Sequence, residues 1–289
     1  MSIDTTTPDP TKNSVSTAMN SQATTAALKA LRTSLITFAA TMFTVLVLWV
    51  GTIQLFDLSP FIAKTPADVW QYLFTEPDSA ADRAELMSKL GETLVDAAVG
   101  FSAGLLLALV TAIVFQLSKG VEHALMPMAL LLRSVPLIAF APVIIMIFGR
   151  DFWTTAVMGG IVVLFPALVS IAFGLKSFSP QMSDLVTVYG GNAWTSLRKV
   201  GLPSSLPSFF AAVRISVPGA ITGALLAEWL ATGRGVGGAI GGYLAAAQFS
   251  AVWAAVVVVT GVSLVLYNLV QIVENVVLAR MSMHPDRRA

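Results

Sequence analysis

Six long apolar stretches, separated by polar and turn-rich segments of unequal length, dominate the pattern along the chain. They run at about Leu35–Leu55, Thr93–Phe115, Met126–Phe148, Trp153–Gly174, Phe209–Leu230 and Val252–Leu278. Each is near or above the ~20 residues that an α-helix needs to cross a hydrocarbon core about 30 Å thick. The pattern therefore predicts an all-α polytopic membrane protein with about six transmembrane helices. One polar segment stands apart from the simple connections. Asp184–Pro207, DLVTVYGGNAWTSLRKVGLPSSLP, is helix-forming but only half apolar. Leu185, Val188 and Tyr189 fall at i, i+3 and i+4, one face of a short helix. Gly190-Gly191-Asn192 supplies a break where positive φ costs little. Trp194, Leu197 and Val200 continue the apolar stripe on a second short helix, which Leu202-Pro203 and Leu206-Pro207 are expected to end. The segment between spans four and five thus reads as a helix–turn–helix protrusion. An interfacial connector without a partner would share the same pattern.

Composition removes the soluble alternative. The chain is 56% hydrophobic and 11% charged, with a mean hydropathy of +0.79, far from soluble norms. The absence of cysteine excludes disulfides and thiol chemistry. Residues 1–28 are rich in Ser, Thr, Asn and Pro and read as a disordered tail without a signal peptide. The distribution of basic residues then orients the chain. With the N-terminus inside, Lys12, Lys29, Arg32, Lys119, Lys176, Arg198, Lys199, Arg280, Arg287 and Arg288 are cytoplasmic, against Lys64, Arg83, Lys89, Arg150 and Arg234 outside. Both termini and the Asp184–Pro207 protrusion are therefore expected in the cytoplasm. The expected organisation is a tail (1–28), a first span with an external amphipathic segment (29–92), a transmembrane core (93–278, protrusion about 180–207) and a tail (279–289). In the external segment, Thr65-Pro66-Ala67-Asp68 reads as a helix start. Val69, Trp70, Leu73 and Phe74 follow at helical spacing. Such a helix suits the membrane interface, with Trp70 and Tyr72 as anchors, or an external partner. The acidic run from Glu76 to Glu92 reads as a solvated turn and helix.

Inside the spans, Gly100-Phe-Ser-Ala-Gly104 and Gly219-Ala-Ile-Thr-Gly223 are small-xxx-small spacings that let helix backbones approach closely. Four ionisable residues are candidate pathway or intramembrane polar groups: Asp96, Arg133, Arg214 and Glu228. On a continuous third span, Arg133 would lie about 10 Å from the inner end. Asp96 and Glu228 fall near the outer ends of their spans, where solvated positions are the simplest expectation. If they faced the pathway, an acidic mouth would suit a cationic or neutral solute. No phosphate-binding loop, metal-ligand cluster or nucleophilic constellation is present in the sequence. The glycines of Thr232–Gly238 read as turn residues, and His123 and His284 fall in loop or tail sequence. No nucleic-acid partner is expected.

The protrusion resembles the cytoplasmic "EAA" loop of bacterial ABC importer permeases. There a glycine is followed ten residues later by Ile or Val, then x-Leu-Pro, matched here by Gly190, Val200, Leu202 and Pro203. The Glu-Ala-Ala positions fall on Asp184, Leu185 and Val186, so the acid is kept as Asp and both alanines are enlarged, while the small residue after the glycine is Gly191. These departures bear on how closely the helix fits a partner's groove. Leu132-Arg133-Ser-Val-Pro136, Ile147-Phe148-Gly149, Val213-Arg214-Ile215, Ala227-Glu228 and Gly235-Val-Gly237 are similar to patterns in permeases of the nitrate, sulfonate, taurine and thiamine-precursor group. A basic position early in their second span is Asp96 here. The resemblance covers about Pro60 to Leu278. It implies a non-enzymatic permease subunit of an ATP-driven importer in the bacterial inner membrane, passing a small solute from an external binding protein into the cytoplasm. It implies a homodimer with one pathway and two cytoplasmic ATPases, with ATP and Mg held by those ATPases and no cofactor on this chain. Asp184, Leu185, Val186, Gly190, Gly191, Val200, Leu202 and Pro203 become the implied ATPase-coupling residues. A six-span ion-coupled transporter or channel, which would work without an ATPase, is the alternative; a membrane scaffold would move no solute at all.

Overall fold

The computed structural model describes residues 36–177 and 180–281, and all regular structure among them is helical. The expected tail at 1–28 lies outside the described residues, as does the expected tail at 279–289 from residue 282 onward, with Arg287, Arg288 and His284; Ala279 and Arg280 belong to the last helix. The chain divides into two compact units, Met1–Ala67 and Asp68–Ala289.

In the first unit, α1 spans Ile36–Leu55 and is apolar on all sides. Its polar residues are made compatible with a span by local bonding. The hydroxyls of Thr41, Thr44 and Thr52 each donate to the carbonyl four residues earlier, at 2.9, 2.8 and 2.7 Å. Beyond the helix the chain turns back, and Trp49 Nε1 donates to Lys64 O at 3.1 Å.

The helix α2, Pro66–Phe74, starts at the junction with proline in its first position. Val69 and Leu73 are buried, whereas Trp70 and Phe74 are exposed and stack with ring centroids 4.4 Å apart. Arg83 caps the turn that follows, donating to Leu73 O and lying over the Phe74 ring. Burial, then the nearby Asp82, Tyr243, Glu85 and Glu76, push the Tyr72 phenol up to about 12.

The second unit is organised by four long helices: α3 (Ser79–Leu117), α6 (Phe152–Leu175), α8 (Ala193–Thr232) and α10 (Phe249–Arg280). At 1.5 Å per residue, the 39 residues of α3 extend about 58 Å, well beyond a bilayer core. The acidic run forms the turn expected before a helix, up to Asp78, and then the first turns of α3. The helix α6 lies between α3 and α8, and glycine sets the approach. A Cβ on Gly100 would lie 2.8 Å from Gly159 Cα, and one on Gly223 would lie 2.8 Å from the same atom. Both small-xxx-small stretches thus meet α6 at a single node, where van der Waals packing between backbones replaces the hydrophobic effect that lipid cannot supply.

Two expectations are corrected here. The third apolar stretch is not one helix: α4 (Lys119–Arg133) and α5 (Leu137–Phe148) meet at a 103° bend. Pro136 has no amide to continue the ladder and disfavours helical geometry at Val135, so α4 closes on the bonds Ser134 N→Leu131 O and Val135 N→Leu132 O. Arg133 therefore sits exposed at the break, not part-way along a span, and His123 belongs to α4 rather than to a loop. Conversely, Leu202-Pro203 and Leu206-Pro207 do not end a helix. A wider turn at Leu197–Gly201, closed by Leu202 N→Leu197 O, carries the chain into the span, and Pro203 falls in the first turn after it, where its missing amide matters least. Pro207 and Pro218 lie inside α8, whose backbone is sheltered by its neighbours. The remaining helices are short: α7 (Pro180–Val188) precedes α8, and α9 (Gly235–Ala245) follows it.

Candidate functional site

The segment between α6 and α8 is built around its turn. Gly191 N donates to Val186 O and Gly190 N to Thr187 O, both at 2.9 Å, which is the Schellman closure of a helix C-terminus. That closure needs a left-handed residue, and Gly190 has φ 77°. Asn192 then caps the next helix, its Oδ1 accepting from Thr195 N and from Thr195 Oγ1 at 2.9 Å each. Ser196 Oγ donates to Ser183 Oγ at 3.2 Å and ties the two helices together.

The side chains sort into a presented face and a packed root. Val188 and Tyr189 are 82% and 84% exposed, and Leu185 and Trp194 are about half exposed. Asp184 and Gly190 are also exposed. Val186, Gly191, Val200, Leu202 and Pro203 are half-buried, and Leu197 is buried. Val186 leans inward: a Cβ on Gly191 would lie 2.4 Å from its Cγ1. Val188, Tyr189 and Trp194 were not among the implied coupling residues, although their helical spacing and aromatic character mark the same face. Four large apolar side chains held in water or at a membrane surface on a rigid turn form a surface that a partner can cover.

The four intramembrane candidates are not brought together into one cluster. Arg133 is exposed at the α4–α5 break. Arg214 pairs with Glu274 of α10 at 3.1 Å and lies over the Tyr267 ring, 5.7 Å from its centroid. Asp96 is half-buried on α3, with Arg234 and Glu92 as its charged neighbours. Glu228 departs most from expectation. It is fully buried, so it is not a solvated residue, and it lies within electrostatic reach of Asp96 and Glu92.

The cause lies in the glycine-rich turn after α8. The first three amides of α9 have no partner within their own helix. Gly235 N donates to Glu92 Oε2 at 2.9 Å, Val236 N to Thr93 Oγ1 at 2.9 Å, and Gly237 N to Glu228 Oε2 at 2.8 Å. Thr93 Oγ1 in turn donates to Glu228 Oε2 at 2.9 Å. The carboxylate thus sits at the positive end of α9. Gly235 has φ 59°, and a Cβ there would lie 2.3 Å from the Glu228 carboxyl carbon. These glycines are therefore not simple turn residues but the walls of a seat for Glu228. Glu92 and Thr93 were missed because each reads as unremarkable at the start of an apolar stretch. At the other end of α9, Tyr243 hydrogen-bonds Glu85 of α3, and burial together with Glu85 and Asp82 raises its phenol pKa. On the opposite side of the unit, Lys176 of α6 pairs with the buried Glu122 of α4.

The family described as "Binding-protein-dependent transport system inner membrane component" matches residues 100–278, more than half of the chain, from the middle of α3 to near the end of α10. The chain belongs to that family. This permease is 27% identical over 222 residues to a probable ABC transporter permease protein of Haemophilus influenzae, covering 77% of this chain and 88% of the relative. It is 29% identical over 129 residues to a formylaminopyrimidine transport permease of Halalkalibacterium halodurans, covering 45% of this chain and about half, 52%, of the relative. A taurine transport permease of Escherichia coli is 27% identical over 181 residues, covering 61% of this chain and 65% of the relative. The protein is a multi-pass membrane permease subunit of an ABC importer for a small solute, a role that entails ATPase and solute-binding-protein partners.

Proposed function

We propose that the α7–α8 loop is the surface through which this permease is driven, seated in a cleft of a cytoplasmic ATPase. The observation that carries the reading is the Schellman-closed turn at Gly190-Gly191, which leaves Leu185, Val188, Tyr189 and Trp194 exposed around the start of the 40-residue α8. Two copies of the chain enclose one pathway, with both termini in the cytoplasm, and each copy engages one ATPase. ATP and Mg are held by the ATPases, and this chain contributes no catalytic group. Closure of the ATPases moves the loops, and α8 carries that movement into the bundle, alternately opening the pathway to either side. The solute comes from an external binding protein. The named relatives carry formylaminopyrimidine and taurine, which makes a small polar organic solute the class to test first.

The test is Gly190→Val. Space around Gly190 is open, so the substitution acts through the backbone: a β-branched residue at φ 77° is strained by about 1–3 kcal/mol. The turn will relax and the presented face with it. In a complex of normal subunit composition, solute uptake per ATP hydrolysed is expected to collapse. Unaltered uptake by a normally assembled Gly190→Val complex would count decisively against the reading.

A further inference from the structure

The seat of Glu228 lies at the end of α8 remote from the α7–α8 loop, and α8 is one helix from Ala193 to Thr232. Forty residues rise about 60 Å, so the two places are joined by a single element that crosses the whole bundle. Wider turns mark both ends: Leu197–Gly201 beside the loop and Glu228–Thr232 at the seat, the second closed by Gly233 N→Glu228 O at 2.8 Å. Such wide turns are rare within α-helices and frequently lie at functional sites. Between them, Gly223 bears on Gly159 of α6, which gives the helix a support about which it can tilt.

A carboxylate is an expensive way to join three helices. Burying it without a cation costs several kcal/mol, and a packed apolar contact would hold as well. Among the described residues no Lys or Arg forms an ion pair with Glu228; Lys89, the nearby cation of α3, pairs with Glu92 at 3.6 Å. The bonding is one-sided as well. Oε2 accepts from Thr93 and from Gly237, while Oε1 is buried without a hydrogen-bond partner. An acceptor so left is destabilised in this arrangement and stabilised by any movement that brings a donor to it. What Glu228 adds over an apolar contact is direction: its bonds reach α3 through Thr93 and α9 through Gly237, and Glu92 reaches α9 beside them.

We propose that Glu228 is a positioning residue of the transport cycle. Its carboxylate clasps the outer end of α8 to α3 and α9, so that movement imposed on the α7–α8 loop is delivered as movement of the outer segment Gly233–Ala247. The inference rests on the loop reading above and adds where the movement ends. Thr93 is the second member of the clasp, and the glycines at 235 and 237 leave the room that the Glu228 side chain fills.

Because the chain has no cysteine, single spin labels report each end of α8 separately. One label is placed on Gln181→Cys of α7 and another on Leu244→Cys of α9, both exposed positions, in the full chain assembled with its ATPase in nanodiscs. Spectra are compared with and without a non-hydrolysable ATP analogue. In the parent complex both labels are expected to respond. With Glu228→Leu, which removes both accepted bonds at similar volume, the Gln181→Cys response is kept and the Leu244→Cys response is lost. If Gln181→Cys gives no response in the parent complex, the loop reading itself fails. If Leu244→Cys responds equally in parent and Glu228→Leu complexes, the clasp inference is overturned and the loop reading stands. Should Glu228→Leu fail to assemble, Thr93→Val removes the bond between α3 and Glu228 and must give the same split, with Thr93→Ser restoring the outer response.

Discussion

Gly191 leaves no room for a side chain, because Val186 already fills it. A Cβ there would meet Val186 Cγ1 at 2.4 Å and Val186 O at 2.9 Å. The EAA pattern that the loop resembles has alanine where Val186 stands, and here the larger side chain is partly taken up within the turn itself. Gly191→Ala is expected to destabilise the turn by about 1–3 kcal/mol through overpacking, and Val186→Ala in the same chain should recover part of the loss, the carbonyl contact remaining. Hydrogen exchange of the Gly190 and Gly191 amides reads this directly: faster in Gly191→Ala, intermediate in the double variant. An unchanged exchange rate in Gly191→Ala would show that the turn has slack. The loop was legible in the sequence because its signals are local: a glycine pair, a cap and a periodic apolar face. The Val186–Gly191 fit was not, since residues five apart meet only once the C-terminal turn has closed. Glu228 was misread for a related reason. Its hydroxyl donor, Thr93, lies 135 residues away, and no spacing rule joins them.

At the scale of elements, hydrophobic length located the helices well, while proline misled in both directions. Pro136 breaks a span that reads as continuous, because nothing before it absorbs the lost bond. Pro203 passes within a helix that was expected to end, because a wider turn just before it loosens the ladder. A sequence pattern shows proline's missing amide but not whether a neighbour compensates for it. Glycine behaved more predictably: the spacings that implied close approach do make it, at Gly100 and Gly223 against Gly159. This node yields a contrast. Gly100→Ala places a methyl 2.8–3.2 Å from three backbone atoms of α6 and is expected to lower stability by about 1–3 kcal/mol. Gly261→Ala, on an exposed face of α10 with nothing within 4 Å, is expected to raise it by about 0.4–1 kcal/mol through the unfolded chain. Thermal unfolding of the detergent-solubilised protein, followed by tryptophan fluorescence, gives the two shifts. Equal shifts would mean that the node tolerates separation and cannot serve as a support for α8.

Across the whole molecule, the basic residues predict the orientation that the proposed mechanism requires. Lys176, Arg198 and Lys199 flank the α7–α8 loop against the single acid Asp184, whereas Glu76, Asp78, Asp82, Glu85, Glu92 and Asp96 outnumber Arg83 and Lys89 along the α2–α3 junction and the first turns of α3. Basic segments are retained on the cytoplasmic side, so the loop should face the ATP supply and the Glu228 clasp the external binding protein. The absence of cysteine makes the orientation directly measurable. Gln181→Cys and Glu76→Cys, both exposed, are each introduced alone and treated in intact cells with a membrane-impermeant maleimide. Glu76→Cys is expected to label in intact cells, and Gln181→Cys only after permeabilisation. The reverse pattern would put the loop on the side without ATP, and both the coupling role of α7–α8 and the outward delivery of its movement through Glu228 would fall together.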